Sequence, residues 1–267
     1  MSQRDDFSHE NASGDTLSRD KLFSQPLADI AGFTFDDKVV EVFPDMIRRS
    51  VPGYETIVAM TGALAERYAV TGSRCYDLGC SLGASTLAMR NNIGERDCTI
   101  IAIDNSPAMA ERCQQVVAAH APATTLTTTL IHPASVDIRI GDVRDIEISN
   151  ASMVVMNFTL QFIPLPDRLA LLENIYRGLL PGGVLVLSEK IAFSDTHLNA
   201  LMIDLHHAFK RANGYSELEV SQKRSALENV LTPETLDTHR ERLRDVGFSE
   251  VDVWFQCFNF ASLLAIK

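Results

Sequence analysis

The chain has 267 residues, enough for one large α/β domain with a filled core. Its 35 acidic against 24 basic side chains leave a net charge of −11, which argues against direct binding of tRNA or DNA, although Lys210-Arg211 and Lys223-Arg224 are local basic spots. No apolar run reaches the length of a membrane span, the polar N-terminal stretch lacks a signal-peptide core, and Cys75, Cys80, Cys98, Cys113 and Cys257 form no Cys-x-x-Cys pair. The expectation is a cytoplasmic protein with no disulfide framework, no metal and no membrane contact.

Residues 1–23 are mixed in charge and read as a disordered lead; 24–267 read as a single domain. Asp36–Arg49 carries Val39, Val40, Val42, Phe43, Met46 and Ile47 at helical spacing and is broken by Val51-Pro52-Gly53. Tyr54–Val70 is a second amphipathic helix, and the two would cover the mouth of a ligand site. Strand one is Arg74–Leu78, followed by a helix at Ala84–Asn92; strand two is Thr99–Asp104. Ser106-Pro107 opens the next helix as N-cap and first helical residue. His120–Ser135 is rich in Thr, Pro and Ala and reads as an extended surface loop. Strand three, Val136–Ile140, ends on Gly141-Asp142, and strand four is the apolar run Met153–Phe158.

The helix Pro166–Leu179 stops at Leu180-Pro181-Gly182-Gly183, and strand five is Val184–Ser188. Three helices follow: Asp195–Ala212, Ser216–Val230 with Ser216 and Glu219 as a capping box, and Pro233–Val246 with Thr232 as N-cap. The first two form an inserted module at about 193–230. Val251–Phe258 and Ser262–Ile266 form an antiparallel hairpin at the sheet edge. The fold class is α/β: a Rossmann-like, mostly parallel seven-stranded sheet with helices on both faces, that hairpin at the C-terminus and the inserted helices before it.

The chemistry concentrates at the strand ends. Cys75 to Gly83 reads Cys-Tyr-Asp-Leu-Gly-Cys-Ser-Leu-Gly, and Asp104 follows 21 residues after Gly83. That is the layout of a nucleotide-binding βαβ unit, in which glycines admit the ligand and an acid at the second strand's end grips the ribose hydroxyls. The turn alone is equally compatible with a tight connection that binds nothing; the flanking strands and the spacing of Asp104 favour a ligand. Strand one also ends on an acid, Asp77, which suits a cationic adenosyl-sulfonium better than a pyrophosphate. Gly79, Cys80, Ser81, Asp104, Asn105, Asp142, Val143 and Asn157 are then the loop-end residues. Asp142 would meet the adenine amine with Val143 as its apolar edge, and Asn157 would face the reactive end. As single residues, Asp142 fits a turn and Asn157 a strand cap equally well; their joint placement at strand ends is what favours a site.

Cys80 is a small apolar filler rather than a nucleophile. Adjacent His206-His207 do not share a helix face and read as surface positions. Arg224 is open to two readings, a solvated helix face or a bidentate carboxylate clamp.

The strand-one turn, Asp104-Asn105 and Asn157 together resemble class I S-adenosylmethionine-dependent methyltransferases. Val42–Ile47, Ser50–Tyr54, Asp77–Gly83, Ile103–Met109, Asn157–Phe162, Phe209–Ser216 and Trp254–Phe260 narrow the resemblance to the carboxy-S-adenosyl-L-methionine synthases, from about residue 22 to the end. The chain departs from that family in its longer polar lead and expanded 120–135 loop. The resemblance implies conversion of S-adenosyl-L-methionine and prephenate to carboxy-S-adenosyl-L-methionine and phenylpyruvate, through a sulfonium ylide that captures the carboxylate carbon. It further implies a homodimer whose product passes to a tRNA carboxymethyltransferase acting on the wobble uridine. Its cofactor contacts carry over onto Tyr54, Gly79, Cys80, Ser81, Asp104, Asn105, Asp142, Val143, Asn157 and Arg224, with Arg224 on the new carboxylate in a catalytic role. The alternatives are a conventional methyltransferase acting on a small molecule or tRNA, and a binding module without turnover.

Overall fold

The computed structural model describes residues 18–27, 32–120, 134–227 and 230–267. Helices α1 (Asp37–Ser50) and α2 (Tyr54–Tyr68) precede β1 (Arg74–Leu78), α3 (Ala84–Ile93), β2 (Thr99–Asp104), α4 (Pro107–Ala119), β3 (Ser135–Ile140) and β4 (Ala151–Asn157). Then come α5 (Leu165–Gly178), β5 (Leu179–Ala192), α6 (Thr196–Ala212), α7 (Glu217–Leu227), the short β6 (Glu234–Thr235), α8 (Leu236–Val246), β7 (Glu250–Cys257) and β8 (Phe260–Ile266). The strand order is β3-β2-β1-β4-β5-β8-β7, with β6 attached to β5. β1, β2, β3, β4 and β5 run parallel, and β8 is antiparallel to both β5 and β7. The seven-stranded sheet and its antiparallel end agree with the sequence reading. The order reverses between β1 and β4, so a crevice opens at the carboxyl ends of these two strands.

Burial follows the two-residue period of a strand. On β4, Met153 and Val155 pack with Cys75, Ile100, Met89 and Ile93 on one face, while Val154 and Met156 pack with Leu78, Ile103, Leu171 and Leu243 on the other. Each fully buried side chain of this kind contributes roughly 1.5–3 kcal/mol, and that alternation fixes the register of β4 against both neighbours.

Several expectations shift. The sequence put residues up to 23 in a disordered lead, yet Asp20 is 2% exposed. Its carboxylate accepts the Tyr215 hydroxyl at 2.5 Å, and its backbone N–H donates to Asp45 at 2.8 Å. β5 begins at Leu179 instead of Val184 because Leu179 already pairs with Ala151, and residues between them bulge out. The expected Thr232 cap of α8 is replaced by Thr235, whose Oγ1 accepts the Thr238 N–H at 3.1 Å. The reason is tertiary: Glu234 and Thr235 are drawn into a strand against Ile191 and Ala192. The Ser216–Glu219 capping box stands, with Ser216 N–H donating to the Glu219 carboxylate at 2.7 Å and Glu219 N–H to Ser216 Oγ at 3.2 Å. Most of the 120–135 loop lies outside the described residues.

Arg168 locks this end of the molecule. It is fully buried, pairs with Glu234, and donates to the carbonyls of Ile163 at 2.9 Å and Thr232 at 2.9 Å. Removing the guanidinium leaves the Ile163, Gln161 and Thr232 carbonyls bare in a buried site, while Glu234 keeps only its second partner, Arg242. Arg168→Ala is expected to lose about 3–5 kcal/mol of stability in urea unfolding; a loss below about 1 kcal/mol would contradict this assignment.

Candidate active site

The turn after β1 is shaped by a glycine that nothing else can replace. Gly79 has φ +82°, and a Cβ there would lie 2.1 Å from Thr159 Oγ1, which itself donates to the Leu78 carbonyl at 2.8 Å. Both Gly79 and Cys80 donate backbone N–H to the Ile103 carbonyl, at 2.8 and 2.9 Å, so the turn is tied to the end of β2. Ser81 takes φ +49°, a left-handed conformation that is uncommon outside glycine and concentrates at functional turns.

That conformation aims Ser81 N–H at Asp104. The Asp104 carboxylate accepts Ser81 N–H on Oδ2 at 2.8 Å and Ser106 N–H on Oδ1 at 2.9 Å. A carboxylate has about four acceptor positions, so each oxygen keeps one for an incoming hydroxyl. Burial raises the Asp104 carboxyl above its ordinary range, opposed by the two N–H groups. The free acceptor positions could take the two hydroxyls of a vicinal diol.

Asp77 lies behind the turn at 2% exposure, its carboxylate accepting the Thr86 hydroxyl at 2.6 Å. Burial pushes its pKa up to about 6 and the neighbouring Asp104 charge adds to the rise, against the Thr86 hydrogen bonds. Tyr54 sits within reach of that charge: burial and then Asp77 drive its hydroxyl well above the usual tyrosine range. The Tyr54 ring leans on Phe158 at 6.4 Å, and Phe158 on Phe260 at 6.0 Å. Two acids at a glycine turn, one of them with free acceptor positions, are compatible with a cationic adenosyl ligand.

The other expected residues have definite places. Asn157 ends β4; its Nδ2 donates to Ser85 Oγ at 2.9 Å and its Oδ1 accepts Ser188 Oγ at 2.6 Å, so the amide knits α3, β4 and β5 together. Asp142 caps a one-turn 3-10 helix at Val143–Asp145, accepting Arg144 N–H at 2.9 Å. The Arg144 guanidinium, 2.6 Å away, holds the Asp142 carboxyl below its usual value. Val143 is buried beside Ile103, and Asn105 is exposed just past β2. Cys80 packs with Ala102 and Cys113, and its thiol is pushed up by Cys113 and by burial, consistent with a filler. Ser81 and Asp104 thus meet at the turn, with Tyr54 in reach of the Asp77 charge behind it, Asn157 on its β5 side and Asp142-Val143 at the β3 end.

Arg224 lies apart from these, exposed on α7, yet its charge reaches Lys190 and His207. Lys190 is two residues beyond Ser188, the partner of Asn157. The sequence reading overlooked Lys190; the signal was a polar Ser188-Glu189-Lys190 closing an apolar strand at its carboxyl end. It also misplaced His206. That ring is buried, with Nε2 on the Ser50 carbonyl at 2.8 Å and Phe260 at 4.8 Å, and burial holds it far below the ordinary imidazole range. Helix α6 turns this face inward against α1, which spacing along α6 alone does not reveal.

Residues 76–183 match the methyltransferase domain family. An O-methyltransferase family protein from Burkholderia thailandensis shares the fold with TM-score 0.58 and 18% identity, over 87% of this chain and 60% of that one. The carboxy-S-adenosyl-L-methionine synthase of Trichlorobacter lovleyi is 60% identical over 252 residues, covering 94% of this chain and all of its own. That of Escherichia coli K12 is 57% identical over 249 residues, covering 93% and 97%. The chain belongs to the carboxy-S-adenosyl-L-methionine synthase family. The family relationship extends through α1, α6 and α7, outside the nucleotide-binding core that the domain match spans.

Asp77 gives a paired test of the pocket. Its pKa is raised from 3.8 to about 6 on folding. The unfolded chain therefore releases this proton first, so stability falls as pH rises from about 4 to 6 and is level above. Asp77→Asn removes that fall, and the ligand-free variant is expected to be more stable at neutral pH by about 1–3 kcal/mol. The same change removes a counter-charge, so affinity for S-adenosyl-L-methionine is expected to drop about tenfold or more. Thermal melts across pH and calorimetric titration check both; unchanged affinity would remove Asp77 from the pocket.

Proposed function

We propose that the protein converts S-adenosyl-L-methionine and prephenate to carboxy-S-adenosyl-L-methionine and phenylpyruvate. The observation that carries this reading is the group of cations around Arg224 on α7 and Lys190 near the carboxyl end of β5. A methyl donor site gains nothing from such a group, whereas a carboxyl transfer needs it for the donor and for the product.

The roles follow from position. Asp104 holds the ribose, the Gly79-Cys80-Ser81 turn admits the donor's backbone-facing edge, and Asp142 with Val143 takes the adenine, with Asn105 beside them. Tyr54 offers its hydroxyl to the amino-acid end. Asn157 borders the sulfonium methyl, and Arg224 binds the carboxylate that forms there. Loss of CO2 and hydroxide turns the prephenate dianion into phenylpyruvate. The hydroxide accepts a proton from the sulfonium methyl to give water, so no protein base is required. The carbon of the resulting ylide then bonds to the CO2 carbon, and charge and atoms balance.

The chain would work as a homodimer whose inserted helices meet, with Leu201 and Leu205 of α6 exposed for that contact. Sedimentation as a monomer at micromolar concentration would remove this part. Among the described residues no helix is long and apolar enough to cross a membrane. A cytoplasmic enzyme that hands its product to a tRNA carboxymethyltransferase, without itself binding nucleic acid, fits the acidic balance of the chain.

The test is incubation of purified protein with both substrates and mass spectrometry of the small molecules. The expected product is S-adenosyl-L-methionine plus one CO2, formed at least about tenfold more slowly by Arg224→Ala. Formation of S-adenosylhomocysteine with a methylated acceptor would favour the methyltransferase reading, and binding without turnover the module.

A further inference from the structure

Helices α6 and α7 bring lysines together where few acids answer them. Lys210, in the last turn of α6, is 6% exposed. Its surroundings are Lys190 on β5 and Lys223 on α7, and His206 and His207 on its own helix feel its charge. Lys223 has partners: Ser50 Oγ at 3.1 Å and the Asp20 carboxylate at 3.6 Å. Asp20 is already engaged by the Tyr215 hydroxyl and the Leu22 N–H. Asp204 bears on His207. Among the described residues, neither Lys190 nor Lys210 has a carboxylate within ion-pair distance of its ammonium group.

Asp20 reaches Lys210 only from beyond ion-pair distance, and a largely buried ammonium with no direct carboxylate partner is costly and rare in a resting protein. The carbonyl end of α6 accounts for a favourable field at Lys210, but not for a second, separately placed lysine on β5. Burial and the neighbouring cations bring the Lys210 ammonium down to about 7 and lower that of Lys190 as well. Such a group is held ready for an anion. Beside it runs a line of aromatic rings from Tyr54 through Phe158 and Phe260 to His206, with successive centroids 6.4, 6.0 and 4.8 Å apart. Lys190 is the register partner of Phe260, so it lies on the strand beside this line of rings.

We infer that Lys210 and Lys190 form the subsite for the carboxylate of the carboxyl donor that is not transferred. The aromatic line would flank the donor's ring, and Arg224 would receive the carboxyl group that moves. The assignment rests on the proposed function and deepens it: the cosubstrate must carry two carboxylates on an apolar ring. A donor with one carboxylate satisfies Arg224 and leaves the lysines unpaired, which makes this pair the source of selectivity for a dianion.

The test is calorimetric titration of prephenate into protein saturated with S-adenosylhomocysteine, for the wild type, K210M, K190M and K210R. Expected are a loss of about tenfold or more in prephenate affinity for K210M, several-fold for K190M, and near-complete retention for K210R. Affinity for S-adenosylhomocysteine should stay within about twofold, a pattern that a merely structural role would not give. Should K210M fail to fold, the K190M titration decides. Wild-type-like prephenate affinity in the methionine variants, an equal loss of S-adenosylhomocysteine affinity, or no prephenate binding by the wild type would overturn the subsite. Lysine-dependent prephenate binding by a wild type that makes no carboxylated product would uphold the subsite and sink the proposed reaction.

Discussion

Asp104 is the residue through which the pocket is organised. One carboxylate fixes the left-handed Ser81 turn through one oxygen and the start of α4 through the other. The turn, the second strand and the fourth helix therefore hold a single geometry before any ligand arrives. Because each oxygen accepts only one internal N–H, the same group that orders the turn keeps two acceptor positions free for a ligand. Preorganisation of this kind lowers the ordering cost of binding. Replacing Asp104 would disturb the turn as well as the contact.

Charge is distributed around the crevice with opposite signs on its two sides. Asp77 and Asp104 lie under the β1 turn, while Lys190 near the carboxyl end of β5, Lys210 on α6 and Arg224 on α7 make up the other side. In the proposed reaction the sulfonium sits on the first side and a carboxylate on the second. Asn157 stands between them, its amide fixed by Ser85 and Ser188. An ordinary methyl transfer uses only the first half of this arrangement. The net charge of −11 conceals the second half, because a few clustered cations scarcely change a whole-chain sum.

What the sequence made legible was local or strictly spaced. The buried strands are unbroken apolar runs, Asp104 lies at a fixed distance from the glycine turn, and the Ser216–Glu219 box sets the start of α7 by its own hydrogen bonds. What it hid depends on contacts between distant segments. Asp20 looked like part of a polar lead because its partners, Tyr215 and Lys223, are some two hundred residues away. Glu234 and Thr235 read as the approach to a helix until β5 and Arg168 claim them. His206 and Lys210 read as surface residues because the helix carrying them is amphipathic, and only its docking on α1 decides which polar groups turn inward. The resemblance supplied Arg224 but not the lysines beside it.

The measurement that bears most directly on the account is isotope tracing. Prephenate carrying heavy carbon in its ring carboxylate is incubated with the protein and unlabelled S-adenosyl-L-methionine, in the presence of unlabelled bicarbonate. If the crevice passes CO2 from a donor held on the cationic side to a methyl held on the acidic side, the carboxylated product retains the heavy carbon. Product made at the same rate without label, its heavy carbon lost to the bicarbonate pool, would contradict direct transfer between the two halves of the site.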